Sequence, residues 1–246
     1  MGLPGGDETS LVVMLKCPEP GKVKTRLVPP LTEGEAARLY RCFIEDTFQR
    51  LQPLVWSDDP AAPVTIYAAF APPEGRDTVA DIVPAGTPLI PQQGRDLGER
   101  LHTVFSGLID RVGGRVVVIG SDIPDIPLAS IREAVSLLKK KREQVVLGPS
   151  EDGGYYLIAM SRAYDEPFDS ISWGGETVME ETLERCRRSA IDVALLPPWR
   201  DVDRVEDLEP LVDNDALPAT SRFIKGELDH IIRGRSGFPP STTKVS

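Results

Sequence analysis

The chain has 246 residues, 41% of them hydrophobic and 27% charged, with a net charge of −10 at neutral pH. That length and composition suit one globular domain with a sizeable core. The acidic balance excludes broad binding to nucleic acid or anionic membrane, both of which need an extended positive face.

Apolar, β-branched runs alternate with helix-period segments almost throughout, which predicts a three-layer α/β/α fold. Ser10 to Lys16 reads as the first strand, and Thr32 opens a helix through a T-x-x-E capping box to Glu35. Val64 to Phe70 and Gly86 to Ile90 read as strands two and three, followed by a helix over Leu97 to Val112. Arg115 to Gly120 is the clearest buried strand. A helix over Pro127 to Lys141 follows, with Asp125 as its expected cap. Gln144 to Gly148 and Tyr155 to Met160 flank the turn Ser150 to Gly154. A helix over Glu176 to Arg188, a strand over Ile191 to Leu196 and two helical segments after Arg204 complete one expected domain, 10–232. The ends, 1–9 and 233–246, read as disordered tails. Cys17, Cys42 and Cys186 are scattered without a C-x-x-C pair, so a reducing cytoplasm is the expected setting. No apolar run approaches the ~20 residues of a membrane span.

Ligands of open α/β sheets bind outside the carboxyl ends of the strands, and the unusual residues of this chain fall there. After the first strand come Lys16, Lys22, Lys24 and Arg26, four cations in a turn with Pro18, Pro20 and Gly21, against the acidic bias of the whole. Such a turn brings backbone N–H groups and cations into one space, as phosphate sites require. Asp122 follows the apolar run V-V-V-I-G-S, and Asp203 closes the segment after the last strand. Carboxylates facing a basic turn suggest a divalent metal, typically Mg²⁺, bridging to a phosphorylated ligand. Either aspartate could instead cap a helix. Glu151-Asp-Gly-Gly154 reads as a close-approach loop or as a plain hairpin turn. Gln93 to Arg100 reads as a nucleoside-contacting loop running into a helix. A P-loop, a Rossmann fingerprint and a G-x-S-x-G elbow are absent, and His102 and His230 read as structural or surface residues.

Taken together, K-x-P-x-P-G-x-V-K-T-R-L, Q-x-G-x-D-L-G-x-R, I-G-S-D-x-P, G-P-S-E-D-G-G-Y-Y-L-I, W-G-x-E-T-V and the closing D-V-D resemble the rSAM/selenodomain-associated transferase family 1. That family is named in part for arsenosugar-biosynthesis glycosyltransferases. The resemblance runs in order from about Leu11 to Leu208, and extends more loosely to 2-phospholactate and molybdenum-cofactor guanylyltransferases. It implies a GT-A-like nucleotide-diphospho-sugar transferase fold with a mixed, mostly parallel sheet. The implied activity is metal-dependent transfer from an activated nucleotide donor, chiefly glycosyl transfer to a small acceptor. Nucleotidyl transfer releasing pyrophosphate is the alternative, and a non-catalytic nucleotide sensor a third. By position, Lys16, Gly21, Lys24, Thr25, Arg26, Gly94 and Asp96 would bind nucleotide, and Asp122 and Asp203 would hold Mg²⁺ or Mn²⁺. Asp152, Gly153, Gly154, Tyr155 and Trp173 would line the acceptor pocket, with Asp152, Asp122 and Lys24 catalytic. Arg204 and Val205 stand where the family pattern leads one to expect Thr or Ser and then Pro.

Overall fold

The structure, a computed structural model, describes residues 8–55, 63–112, 114–141 and 144–235. Seven strands form one sheet: β1 (Thr9–Lys16), β2 (Val64–Ala71), β3 (Leu89–Pro91), β4 (Arg115–Gly120), β5 (Gln144–Pro149), β6 (Tyr155–Met160) and β7 (Asp192–Leu195). Their spatial order is β3-β2-β1-β4-β6-β5-β7. β6 runs antiparallel to both its neighbours, β4 and β5, whereas every other pairing is parallel. The reason lies in chain length. The turn between β5 and β6 is five residues, enough for a hairpin and too short for a parallel crossover.

The strands read as continuous apolar runs because both faces are buried, and alternate residues sort between two cores. Leu11, Val13, Leu15, Val117, Ile119, Val146 and Leu157 face one layer, formed by α1 (Glu33–Val55), α4 (Leu128–Lys140) and the C-terminal segment. Val12, Val116, Val118, Val145, Leu147 and Ile158 face the other, formed by α3 (Leu97–Val112) and α5 (Val178–Arg188). A short helix, α2 (Arg76–Ala80), follows β2. After β7 come a 3-10 segment, Val205–Leu211, then α6 (Pro218–Phe223), a π-helical turn and α7 (Asp229–Arg235).

The α1 capping box forms as read: Thr32 N donates to Glu35 Oε2 at 2.7 Å, and Glu35 N to Thr32 Oγ1 at 3.2 Å. Two expectations are corrected. β3 is Leu89–Pro91 rather than Gly86 to Ile90; Gly86 and Thr87 belong to a turn in which Thr87 N donates to Pro84 O. Asp125 does not cap α4, since its Oδ1 accepts from the Trp199 indole at 3.3 Å and Pro127 stands at the helix start without a side-chain cap. The expected tail 1–9 begins outside the described residues and gives way to β1 at Thr9, and the end of the other tail, from 236, also lies outside them.

Candidate active site

Because β1, β2, β3, β4, β5 and β7 are parallel, their carboxyl ends share one edge of the sheet, where the β5–β6 turn also lies. The basic turn, the Asp122 loop, the hairpin turn and the Asp201–Asp203 segment are therefore neighbours, as the strand-end reading expects. Backbone hydrogen bonds tie them together. Val202 N donates to Asp122 O at 3.2 Å, Trp199 N to Pro149 O at 3.0 Å, and Glu151 N to Trp199 O at 3.1 Å.

Lys24 is the centre of this edge. Its ammonium lies 2.6 Å from Asp122 Oδ1, 2.8 Å from Val202 O and 3.5 Å from Asp203 Oδ1, and its side chain is 2% exposed. Two of these contacts are hydrogen bonds, to Val202 O and Asp203 Oδ1, and the third is the close ion pair with Asp122. The stem passes beside the Phe43 ring, with Nζ 5.6 Å from the ring centroid. At φ 47°, ψ 38° the Lys24 backbone is left-handed, a conformation that costs a non-glycine residue roughly 1–2 kcal/mol. The ion-pair network offsets that cost. Arg26 completes it, with Nη1 2.6 Å from Asp203 Oδ2 and the side chain 67% exposed. Asp203 thus spends its carboxylate on two cations rather than on a cap. Asp207 takes the capping role, accepting from Asp203 N at 2.9 Å and Arg204 N at 2.6 Å.

Behind Asp122, the buried Tyr40 hydroxyl lies 2.5 Å from Ser121 Oγ and accepts Lys16 N at 3.1 Å, joining the ends of β1 and β4. Burial, and then the nearby Asp122 charge, raise the Tyr40 pKa, so this phenol stays protonated. Lys16, Lys22 and Thr25 are exposed around the same turn, and Gly21 takes φ +73° with the Glu33 carboxylate beside it.

The acidic partner that sequence reasoning missed is Asp201. Its Oδ1 accepts from Ser150 Oγ at 3.0 Å. Burial, then the Asp152 charge, with smaller contributions from Asp122 and Asp203, push its carboxyl up to about 6. Four carboxylates thus act on one region, and the D-x-D spacing of Asp201 and Asp203 was the available signal. Asp152 itself is exposed, and its Oδ1 accepts Gly154 N at 3.0 Å in a local Asx turn.

Other motif residues hold the framework. Gly153 takes φ +88°, and a Cβ there would lie 2.0 Å from Glu176 O. Its own carbonyl accepts Met179 N at 2.9 Å, docking the hairpin turn on the start of α5. The Tyr155 hydroxyl turns inward beside Thr182 of α5, and burial raises its pKa. Trp173 packs on α3, where a Cβ at Gly98 would lie 2.6 Å from the indole. Its ring meets Tyr155 edge-on at 6.5 Å. Asp96 caps α3 through Glu99 N at 2.9 Å. Gly94, at φ +141°, leaves no room for a Cβ against Arg100 N. The structure thus brings Lys24, Arg26, Asp122, Asp203 and Asp152 to one edge. It gives Gly94, Asp96, Gly153, Tyr155 and Trp173 packing and capping roles beside it.

The donor set at the centre fits a hard divalent cation: Asp122 and Asp203 offer carboxylate oxygens, and the Lys24 ammonium already stands there as an internal cation. Among the described residues no three acidic, histidine or cysteine side chains form a complete cage. An ion held here would take further ligands from a bound phosphate or water.

This sheet order, with its site at the carboxyl edge, is the nucleotide-diphospho-sugar transferase-like α/β fold. The chain is 34% identical to a protein of Desulfovibrio desulfuricans G20 whose structure is described, provisionally, as that of a nucleotide-diphospho-sugar transferase. The match covers 93% of this chain and 98% of that one, with a TM-score of 0.78. The chain belongs to the same family as that protein. Residues 59–175 also match the bacterial family described as "Uncharacterized protein conserved in bacteria (DUF2064)". The fold is shared, at 14% identity and a TM-score of 0.51, with CMP:2-keto-3-deoxy-manno-octonic acid synthetase complexed with CTP, over 83% of this chain and 96% of that one. A cytidylyltransferase from Leptospira borgpetersenii serovar Hardjo-bovis also shares it at 14% identity and 0.51, over 95% and 100%. A 62-residue stretch is 45% identical to protein transport protein SEC24 of Dictyostelium discoideum, where the chain spans 6% of that curated relative's length.

Proposed function

We propose that this protein is a metal-dependent transferase using an activated nucleotide donor, and that the reaction is glycosyl transfer from a nucleotide-diphospho-sugar to a small acceptor. One observation carries the reading: the basic turn after β1 meets Asp122 and Asp203 at the functional edge of a nucleotide-diphospho-sugar transferase-like sheet. The provisional description of the 34%-identical Desulfovibrio protein supports the same class, and the motif resemblance to the rSAM/selenodomain-associated transferases favours the glycosyl branch.

In this reading Asp122 and Asp203 hold Mg²⁺ or Mn²⁺, which when bound stabilises the negative charge of the departing nucleoside diphosphate. The exposed cations Lys16, Lys22 and Arg26 receive the donor phosphates. Asp152 takes the proton of the acceptor hydroxyl. Its exposure at a different strand end from the basic turn leaves it open to a second substrate. The β1–β4 end serves the donor, the β5–β6 turn the acceptor, and the domain 10–232 acts as one unit. The test is a product assay. Nucleoside diphosphate released from a nucleotide-sugar supports glycosyl transfer, and pyrophosphate released from a nucleoside triphosphate supports nucleotidyl transfer instead.

A further inference from the structure

Resting on that metal–nucleotide reading, we infer that the Lys24 ammonium and the divalent cation are alternative occupants of the Asp122 and Asp203 carboxylates. Metal then enters together with donor phosphates, and these receive the displaced lysine. Lys24 Nζ stands 2.6 Å from Asp122 Oδ1 and 3.5 Å from Asp203 Oδ1, the same oxygens a cation would use. A hydrogen bond to Val202 O at 2.8 Å helps to hold it there. Lys24 is buried on these carboxylates with its side chain 2% exposed, so it reaches a phosphate only by leaving them.

A divalent ion on the same oxygens would face a like charge at close range in a site where the lysine is shielded from water, and that repulsion is weakly screened. Metal alone must displace the ammonium and leave it without a counter-charge. Metal accompanied by phosphates supplies that counter-charge, so the two ligands bind with positive linkage. The backbone allows such an exchange. Lys24 is held at φ 47°, off the conformation a lysine prefers, in a turn that Gly21 opens at φ +73°. Arg26, bonded to Asp203 Oδ2 at 2.6 Å but largely exposed, can stay on the carboxylate while Lys24 moves.

The experiment follows Mn²⁺ binding without nucleotide, by electron paramagnetic resonance, in the unmodified protein, Lys24→Met and Asp122→Asn. Removing the competing charge should tighten Mn²⁺ binding at least about tenfold in Lys24→Met, and Asp122→Asn should abolish it. Binding that depends on Asp122 but is equal or weaker in Lys24→Met overturns the exchange and leaves the metal reading standing. No Mn²⁺ binding in any of the three, or binding indifferent to Asp122→Asn, overturns the metal reading and the exchange with it. Should Lys24→Met fail to fold, amine acetylation of the unmodified protein read by mass spectrometry decides the matter. Lys24 should be protected without metal and labelled with Mn²⁺ alone. Protection that persists at saturating Mn²⁺ overturns the inference.

Discussion

On the β1–β4 side of the site, charge is already matched within the protein: Lys24 spans Asp122 and Asp203, and Arg26 closes on the second oxygen of Asp203. On the β5–β6 side, Asp152 stands exposed with a backbone N–H on its Oδ1, and burial, then the Asp152 charge, raise the proton affinity of Asp201. Under the proposed function the contrast separates two jobs. A side proposed to receive a phosphate and a cation is organised in advance by charges of both signs, which lowers the reorganisation needed when they arrive. A side proposed to remove a proton is better served by a carboxylate without a bound cation, which would lower its basicity.

The strongest way to break this division is at Asp122. Asp122→Asn keeps the shape but removes the charge facing the donor, so turnover should fall by about 10³-fold with an unchanged circular dichroism spectrum. Steady-state kinetics that retained activity would remove Asp122 from the metal site. Asp152→Asn should cost about 10²-fold in transfer, the scale of a lost general base, with donor affinity by calorimetry unaltered. Loss of donor affinity instead would place Asp152 with Asp122 and erase the boundary between the two sides.

Gly153→Ala sharpens the comparison through packing. A Cβ would collide with Glu176 O at 2.0 Å, and φ +88° is strained for alanine. Denaturant melts should show a loss of more than about 1 kcal/mol, and transfer should suffer more than donor binding as the turn shifts. The smallest effect is expected at Asp201. Its folded carboxyl is raised to about 6 from an ordinary 3.8, so between those values the folded state holds a proton the unfolded state has released. Stability from this group is therefore highest at the acid end of that window and is lost as pH rises through about 6. Asp201→Asn removes the dependence, so the variant's melting temperature should gain on the unmodified protein's as pH rises across the window. Parallel profiles would mean that Asp201 is not desolvated.

Most of the sheet was legible because its signals are local: apolar, β-branched runs for the strands, Thr32 and Glu35 for the start of α1, and the short turn Ser150 to Gly154 between β5 and β6. The strand-end rule also brought the basic turn, the Asp122 loop and the Asp201–Asp203 segment to one edge, as the structure has them. What the sequence withheld was pairing across distance. Lys24 reads as a phosphate-facing cation, and the partners that hold it in this structure, Val202 O and Asp203, come from the segment after β7, 178 residues on. Trp173 reads as an acceptor contact, and its packing on α3 was not read from the chain. The trace of that was Gly98, an unfavourable residue in a helix and one whose missing Cβ makes the room. Asp125 looked like a helix cap because capping is judged from neighbours in the chain, and its actual partner is Trp199 from another loop.

The most direct test of the central claim is ³¹P nuclear magnetic resonance of the unmodified protein with Mg²⁺ and panels of nucleotide-sugars and nucleoside triphosphates, run beside Asp122→Asn. The account predicts that a nucleoside diphosphate accumulates from a nucleotide-sugar, without pyrophosphate, and that Asp122→Asn stops it. Equal turnover in both proteins, or no donor consumed from either panel, would contradict it.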